Sequence, residues 1–391
     1  MIHLSGATVV LADRLLAPGR VSIEDGLIVD LAPSNVEDAG HLHGHYIVPG
    51  FIDVHVHGVD GTDTLDGAAA IARIAARLTR FGVTAFCPTS VACTPAALRG
   101  MLRGIRAARE AAVPGSARVL PAHLESNFIS VEFKGAQPEA CIRAPHETRD
   151  GDFSGREILD EIASARAEVG IVTVAPEIEG VLDLITELVR NGHRVSLGHS
   201  GATYEQGLAG IDAGARHATH LFNRMRPFGH RAPGLAGAIL ESDAVAAEVV
   251  CDGVHVHPGA IRAAVAAKGA SRIMAITDGT AASGIPQGGT ATLGGRTITA
   301  RDAAYLDDGT LAGSVLTMDR AFRTLVTTMG FSLVDAAQLC ATTPARELAL
   351  PGLGVIAVGA TADLVVLDGD LNVVETYIGG LAVGGRLPPS V

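Results

Sequence analysis

The stretch RVSLGHSGATYEQGLAGIDAGARHATHLFNRMR, from Arg194 to Arg226, reads as strand, helix, strand, with His199 and then His220 at the C-terminal end of each strand. Consecutive strand-helix units bring strand ends to one edge of a sheet, so the two imidazoles meet there, as the ligands of a catalytic metal do. Either histidine alone reads better as a hydrogen-bonded core residue. The pair, together with HVH and HLE motifs at two other strand ends, points instead to a cation.

The pattern repeats outward from this stretch. Apolar runs of strand length occur at 51–58, 83–90, 118–126 and 171–178, and again at 194–200, 217–222, 246–256 and 272–280. Most are separated by amphipathic, helix-like segments such as AAAIARIAARLTRF and PAALRGMLRGIRAARE. Eight continuous apolar strands separated by helices predict an α/β fold, a parallel sheet covered on both faces and closed into a metal-dependent (β/α)8 TIM barrel. An open, doubly wound sheet is the other reading, and no GxGxxG follows an early strand to support it. The two chain ends carry short β-branched runs with glycine turns, at 2–10, 21–31 and 361–386, which are expected to join into one small β-sandwich. The boundaries read from this pattern are 1–48 and 350–391 for the β-sandwich domain and 49–349 for the catalytic barrel.

A formal charge of −12 and a pI near 5.6 exclude a broad positive field, and with it a general nucleic-acid or anionic-membrane binder. Arg216, Arg224, Arg226 and Arg231, with His217 and His230, still crowd one segment, either as a seat for a small anion or as a solvated face. Five scattered cysteines without a CxxC pair suit a reducing compartment. The N-terminus lacks a basic region before its apolar run, and no apolar run reaches about 18 residues. A cytoplasmic protein is expected.

The chemistry-bearing residues sit at strand ends. In DVHVHG, His55 and His57 are two apart on a strand and share a face, so both rings can chelate one cation. Glu125 ends PAHLES, where a buried carboxylate needs a cation or an arginine partner. With His199 and His220 it makes a three-ligand set that leaves a fourth position open, the pattern of catalytic zinc. Asp278, in AITDGT, is placed to take a proton from water and return it to a leaving amine, or else to cap the following segment.

The motifs VPGFIDVHVHG, HLE, FKGAQP, SLGHSGAT, THLFN, RAPGLAGAI, DGVHV, TDG, TLAGSVLTM and TPAREL, in this order and spacing, resemble the N-acetylglucosamine-6-phosphate deacetylase family of the amidohydrolase superfamily along nearly the whole chain. The resemblance implies a metal-bearing (β/α)8 barrel with a β-sandwich from both termini. It implies hydrolysis of N-acetylglucosamine-6-phosphate to glucosamine-6-phosphate and acetate in amino sugar catabolism. The family's metal ligands fall on Glu125, His199 and His220, and its acid/base on Asp278. Phosphate contacts fall on Asn223, Arg224, Arg231 and His255, while Leu311, Ala312 and Gly313 close over the sugar. Gln137 stands near the amide carbonyl. Some members lack the HxH pair and use one metal; here His55 and His57 allow a second, bridged by Glu125. One or two divalent ions are expected, zinc first, with iron, manganese or cobalt as alternatives. A homodimer acting on a small amino sugar phosphate is implied.

The only lysines are Lys134 and Lys268, and neither lies in IVTVAPEI, the fourth strand. That removes the carboxylated lysine that bridges the metals in dihydroorotase-like and hydantoinase-like enzymes. Two positions depart from the family pattern. Ser126-Asn127 replaces the usual Gly-Pro after the metal glutamate, and Arg224 stands where Ala is common. Both bear on the identity of the sugar, so N-acetylgalactosamine-6-phosphate, another N-acylated anion, or a cyclic amide stays open as substrate. A non-catalytic sugar-phosphate sensor is the remaining class, which the survival of every ligand and of Asp278 disfavours.

Overall fold

The computed structural model describes residues 1–34, 42–148 and 151–384. Eight strands lie parallel in chain order: Phe51–Val56, Val83–Ser90, Ala122–Glu125, Val169–Val174, Arg194–Leu197, His217–Ala218, Ala246–Val250 and Ile273–Ile276. Most of their residues are buried on both faces, as strands covered by helices must be. Pro95–Glu110 shows how a helix is set down. Thr94 accepts from Ala97 N–H at its start, Pro95 opens the first turn, and Leu98, Met101, Leu102 and Ile105 make one buried stripe.

The barrel closes through the ends of its last and first strands. His57 N–H donates to Gly279 O at 2.7 Å and Asp278 N–H to His55 O at 3.0 Å. Asp53 seals the seam from inside, accepting from Thr277 Oγ1 at 2.5 Å and from the backbone N–H of Thr277 and His55, both at 3.3 Å. Burial raises the Asp53 carboxyl to about 6, against the pull of these hydrogen bonds.

Most strands are shorter than the apolar pattern predicts, those read at 118–126, 171–178, 194–200 and 272–280 ending at Glu125, Val174, Leu197 and Ile276, and two are cut back further. The run 217–222 keeps only His217–Ala218 in the ladder, and the run 246–256 stops at Val250. The second ends because Asp252 Oδ1 accepts from Val254 and His255 N–H, each at 2.9 Å, turning the chain before it can extend the strand.

The described residues of the two chain ends form a separate seven-stranded sheet. Its order is Leu381–Val383, Val373–Ile378, Leu364–Leu367, Tyr46–Pro49, Ile2–Val10, Leu15–Glu24 and Leu27–Pro33. All neighbours are antiparallel except Ile2–Val10 with Tyr46–Pro49. The expected sandwich is thus one hydrogen-bonded sheet with its own core, in which Leu4, Val21, Ile23, Ile47, Leu364, Val366 and Tyr377 pack together. The glycine turn expected within the run 21–31 is made by Asp25 and Gly26 at φ 50° and 79°, the geometry of a tight hairpin. Gly385 and Arg386, at the end of the last predicted run, lie outside the described residues. A three-stranded sheet that the pattern did not reveal, Thr290–Leu293, Arg296–Ala300 and Ala304–Leu306, follows the eighth barrel strand. No helix among the described residues is long and apolar enough to cross a membrane.

Thr277→Val removes the hydroxyl that satisfies Asp53 and leaves a buried carboxylate short of a donor, a loss of about 1–3 kcal/mol. A lower thermal midpoint is expected, with Thr277→Ser close to wild type; an unchanged midpoint in the valine variant would show the seam does not depend on this pair.

Candidate metal centre

Strand geometry delivers the ligands. His55 and Glu125 lie at the ends of the first and third strands, His57 just past the first, and His199, His220 and Asp278 each two residues beyond the strands that end at Leu197, Ala218 and Ile276. These last three take φ values of 48°, 29° and 48°, a left-handed backbone that costs a non-glycine residue about 1–3 kcal/mol and clusters at functional sites. The loop bearing His199 is held in place by Glu177, which accepts from Ser200 Oγ at 2.7 Å and Gly201 N–H at 2.6 Å.

Glu125 Oε1 lies 2.8 Å from His199 Nε2 and 2.9 Å from His220 Nε2, and the two nitrogens are 3.1 Å apart. Donors at about 2.1 Å from one tetrahedral ion would be spaced by roughly 3.4 Å, close to this arrangement. His199 Nδ1 faces Phe133 O at 2.8 Å. A carbonyl only accepts, so Nδ1 carries a proton, and Nε2 is the nitrogen turned toward Glu125 and left to bind a cation. Nε2 atoms and a carboxylate oxygen converging within about 3 Å fit either a shared proton or a cation, and their spacing is that of metal ligands. A second group, His55, His57 and Glu125, adjoins the first. His57 Nε2 is 3.2 Å from His55 Nε2 and 3.5 Å from Glu125 Oε2, and Asp278 Oδ1 is 3.4 Å from His57 Nε2 and 3.6 Å from His55 Nε2.

The charge balance supports the same reading. Burial opposes ionisation of Glu125 and Asp278, yet the surrounding imidazoles hold both carboxyls below their ordinary range. Burial also opposes a charge on His55, but Glu248, Asp278 and Glu125 overcome it and pull the ring up to about 10. The excess negative charge thus calls for a proton or a metal ion. Glu125 meets Gln137, His55, His57, His199 and His220, and no arginine among the described residues pairs with it, which removes the alternative of a plain salt bridge. Lys134 pairs with Glu139 at 3.7 Å, and Lys268 donates to Ile239 O and Ser242 O, so both lysines are engaged away from the ligands.

Above the ligands opens a cleft. Gln137, Asn223, Arg224, His255, Leu311, Ala312 and Gly313 all line it, beside His57, Glu125, His199, His220 and Asp278. Arg231 is exposed and lies outside this lining. Gln137 is already engaged: its Oε1 accepts from Ala92 N–H at 2.7 Å and its Nε2 donates to Glu125 Oε2. His255 Nδ1 pairs with Asp252 Oδ2 at 2.6 Å, which turns the other ring nitrogen away from the carboxylate. Arg224 crosses the rim, with Nη2 3.4 Å from Leu311 O and its side chain against Gly135, where a Cβ would fall 2.5 Å from Nε.

Several residues beside the ligands were not legible in the motifs. Glu248, His123 and His217 are fully buried under the site, and Asn127 binds two loops together through Nδ2, donating to Cys93 O at 2.8 Å and Cys141 O at 2.6 Å. The HxE spacing of His123 and Glu125 and the HxxH spacing of His217 and His220 are the signals that could have pointed to the histidines.

The pattern of the amidohydrolase family matches residues 46–383. The chain belongs to that family. Among amidohydrolases, it is 33% identical to the N-acetylglucosamine-6-phosphate deacetylase of Bacillus subtilis, over 95% of this chain and 94% of that one. It is also 33% identical to the N-acetylgalactosamine-6-phosphate deacetylase of Escherichia coli, over 97% and 99%. Its fold matches a variant of the Mycobacterium smegmatis N-acetyl-D-glucosamine-6-phosphate deacetylase, solved in complex with N-acetyl-D-glucosamine-6-phosphate, at a TM-score of 0.88 and 34% identity, over 97% and 98% of the two chains.

Asn127→Ala in this amidohydrolase should leave the buried carbonyl of Cys93 and the half-buried one of Cys141 without their shared donor, costing about 1–3 kcal/mol. A lowered thermal midpoint with bound metal retained is expected; a midpoint equal to wild type would show that the loops hold without the amide.

Proposed function

We propose that the chain deacetylates N-acetylglucosamine-6-phosphate, giving glucosamine-6-phosphate and acetate in amino sugar catabolism. The observation that carries this reading is the Glu125–His199–His220 cluster with Asp278 beside it, on the floor of a cleft that also holds Asn223, Arg224 and His255. N-acetylgalactosamine-6-phosphate is the second reading, favoured by a relative that carries the name of that epimer's deacetylase at similar identity.

Glu125, His199 and His220 would hold one divalent ion, and His55 and His57 would hold a second that shares Glu125. Zinc is the first candidate, with iron, manganese or cobalt as alternatives. A bound ion of this kind supplies Lewis acidity and makes its water acidic near neutral pH. Asp278 takes the proton of the attacking water on its carboxylate and returns it to the departing amine, so water and amide become acetate and amine. Gln137 keeps a second N–H beyond the one given to Glu125, and that hydrogen is available to the developing oxyanion. Asn223, Arg224 and His255 receive the phosphate, and the 311–313 loop flanks the sugar. In the same reading the chain divides at 48/49 and 349/350, works as a homodimer and resides in the cytoplasm, which five unpaired thiols suit.

Acetate release by metal-quantified protein tests the assignment, comparing N-acetylglucosamine-6-phosphate, its galactosamine epimer and unphosphorylated N-acetylglucosamine. Preference for the first supports the main reading; preference for the epimer moves the assignment to the second, and indifference to phosphate removes the role of Asn223, Arg224 and His255. Asp278→Asn should reduce kcat by at least about 100-fold, as loss of general acid–base catalysis does, with metal content unchanged. A near-normal rate would rule out Asp278 as the proton carrier.

A further inference from the structure

Beneath the ligand set lies a second polar layer that the proposed reaction does not use. Glu248, on the seventh barrel strand, is completely buried and is approached from both sides. His55 Nδ1 lies 2.9 Å from Oε2, His217 Nε2 lies 2.7 Å from Oε1, and the backbone N–H of His220 reaches Oε2 at 3.2 Å. On the far side of His217, Arg194 donates through Nε to Nδ1 at 3.0 Å. Arg194 is fixed in turn by Glu347, donating to its backbone O at 2.8 Å and to its carboxylate, and by the carbonyl of Arg216 at 2.9 Å.

The proton positions along this row follow from what each group can do. A guanidinium has only donors and stays protonated, so His217 Nδ1 must accept. The ring then carries its proton on Nε2 and donates it to Glu248 Oε1. Glu248 Oε2, an acceptor, takes the Nδ1–H of His55. That leaves Nε2 of His55, the atom 3.2 Å from His57 Nε2 and 3.7 Å from Glu125 Oε1, as the nitrogen whose lone pair is offered when a cation takes the place of a proton there. An imidazole binds a cation only through such a lone pair, and the partner of its other nitrogen selects which one is offered. His123 stands 3.5 Å from Glu248 Oε1 but is occupied elsewhere, with Nδ1 on Val54 O at 3.0 Å and Nε2 on Thr173 Oγ1 at 2.8 Å.

We propose that Glu248 is a positioning residue: the row Arg194–His217–Glu248 fixes the tautomer of His55 and so determines whether the His55–His57–Glu125 position holds a divalent cation. The proposal rests on the reading of His55 and His57 as ligands made above. Gln in place of Glu248 cannot satisfy the row. Its amide N–H, turned to His55, demands a lone pair on Nδ1 and puts the proton on Nε2; turned to His217, it collides with the proton order set by Arg194.

Cobalt(II) binding separates these possibilities, with ions per chain and stepwise affinities measured by elemental analysis and visible absorption on the full chain. Wild type is expected to take two ions, and His55→Gln one. Glu248→Gln should bind the second ion about 10–100-fold more weakly while the first is unchanged, as loss of a partner behind a metal-binding histidine does. His217→Leu, which cannot donate to Glu248, should show the same selective loss. His217→Gln, able to accept from Arg194 and donate to Glu248, should restore it. A wild type with one ion, or a His55→Gln protein with two, would overturn the ligand reading and this proposal with it. Loss of an ion in His55→Gln, with wild-type affinity in both Glu248→Gln and His217→Leu, would overturn the positioning role alone. If circular dichroism shows Glu248→Gln unfolded, the His217 pair decides the matter.

Discussion

Burying Asp53, Glu125, Glu248 and Asp278 in one barrel puts four carboxylates where water solvates them poorly, a cost that only donors or cations repay. The fold answers each differently. Asp53 is met by a hydroxyl and two backbone N–H groups at the closing seam, and Glu248 by two imidazoles and a backbone N–H. Glu125 and Asp278 face mainly ring nitrogens turned inward. The first two are thereby satisfied within the protein, while the last two are left in need of a cation at the open end of the barrel.

Delivering those groups demands a backbone that ordinary strand ends do not provide. His199, His220 and Asp278 all turn with positive φ just past their strands, so their side chains point into the mouth while the chain leaves for the next helix. Neighbouring loops hold this geometry: Glu177 under the His199 turn, Asn127 between the segments at Cys93 and Cys141, and Gln137 between Ala92 and Glu125. The Ser126-Asn127 pair, unusual beside the family pattern, is therefore built into the wall. Ser126 Oγ donates to Thr173 O at 2.5 Å, and Asn127 bonds two loops at once. Arg224, the other unusual residue, lies across the rim against Gly135 and Leu311, where it narrows the cleft and adds positive charge.

Much of this was legible before any coordinates. Strand and helix periodicity are local properties, so eight apolar runs and the amphipathic segments between them were enough to specify a parallel barrel. The i, i+2 rule placed His55 and His57 on one face, and strand-end position singled out Glu125, His199, His220 and Asp278. Element ends were less legible, because a side chain such as that of Asp252 can stop a strand inside an apolar run. The sheet over 290–306 was missed because its strands run for only three to five residues and mix exposed, half-buried and buried positions, too short for a clear period.

What the chain alone determined is the barrel, the ligand types and the edge on which they gather, since each depends on residue spacing within one strand-helix unit. Only the tertiary structure decided how those ligands are held. His55 and Glu248 are 193 residues apart, Asp53 and Thr277 are 224 apart, and Arg194 meets Glu347 across 153. A hydrogen bond needs its two atoms within about 3 Å, and no sequence pattern states which distant side chains arrive at that distance until the barrel has closed and its strands have taken their register.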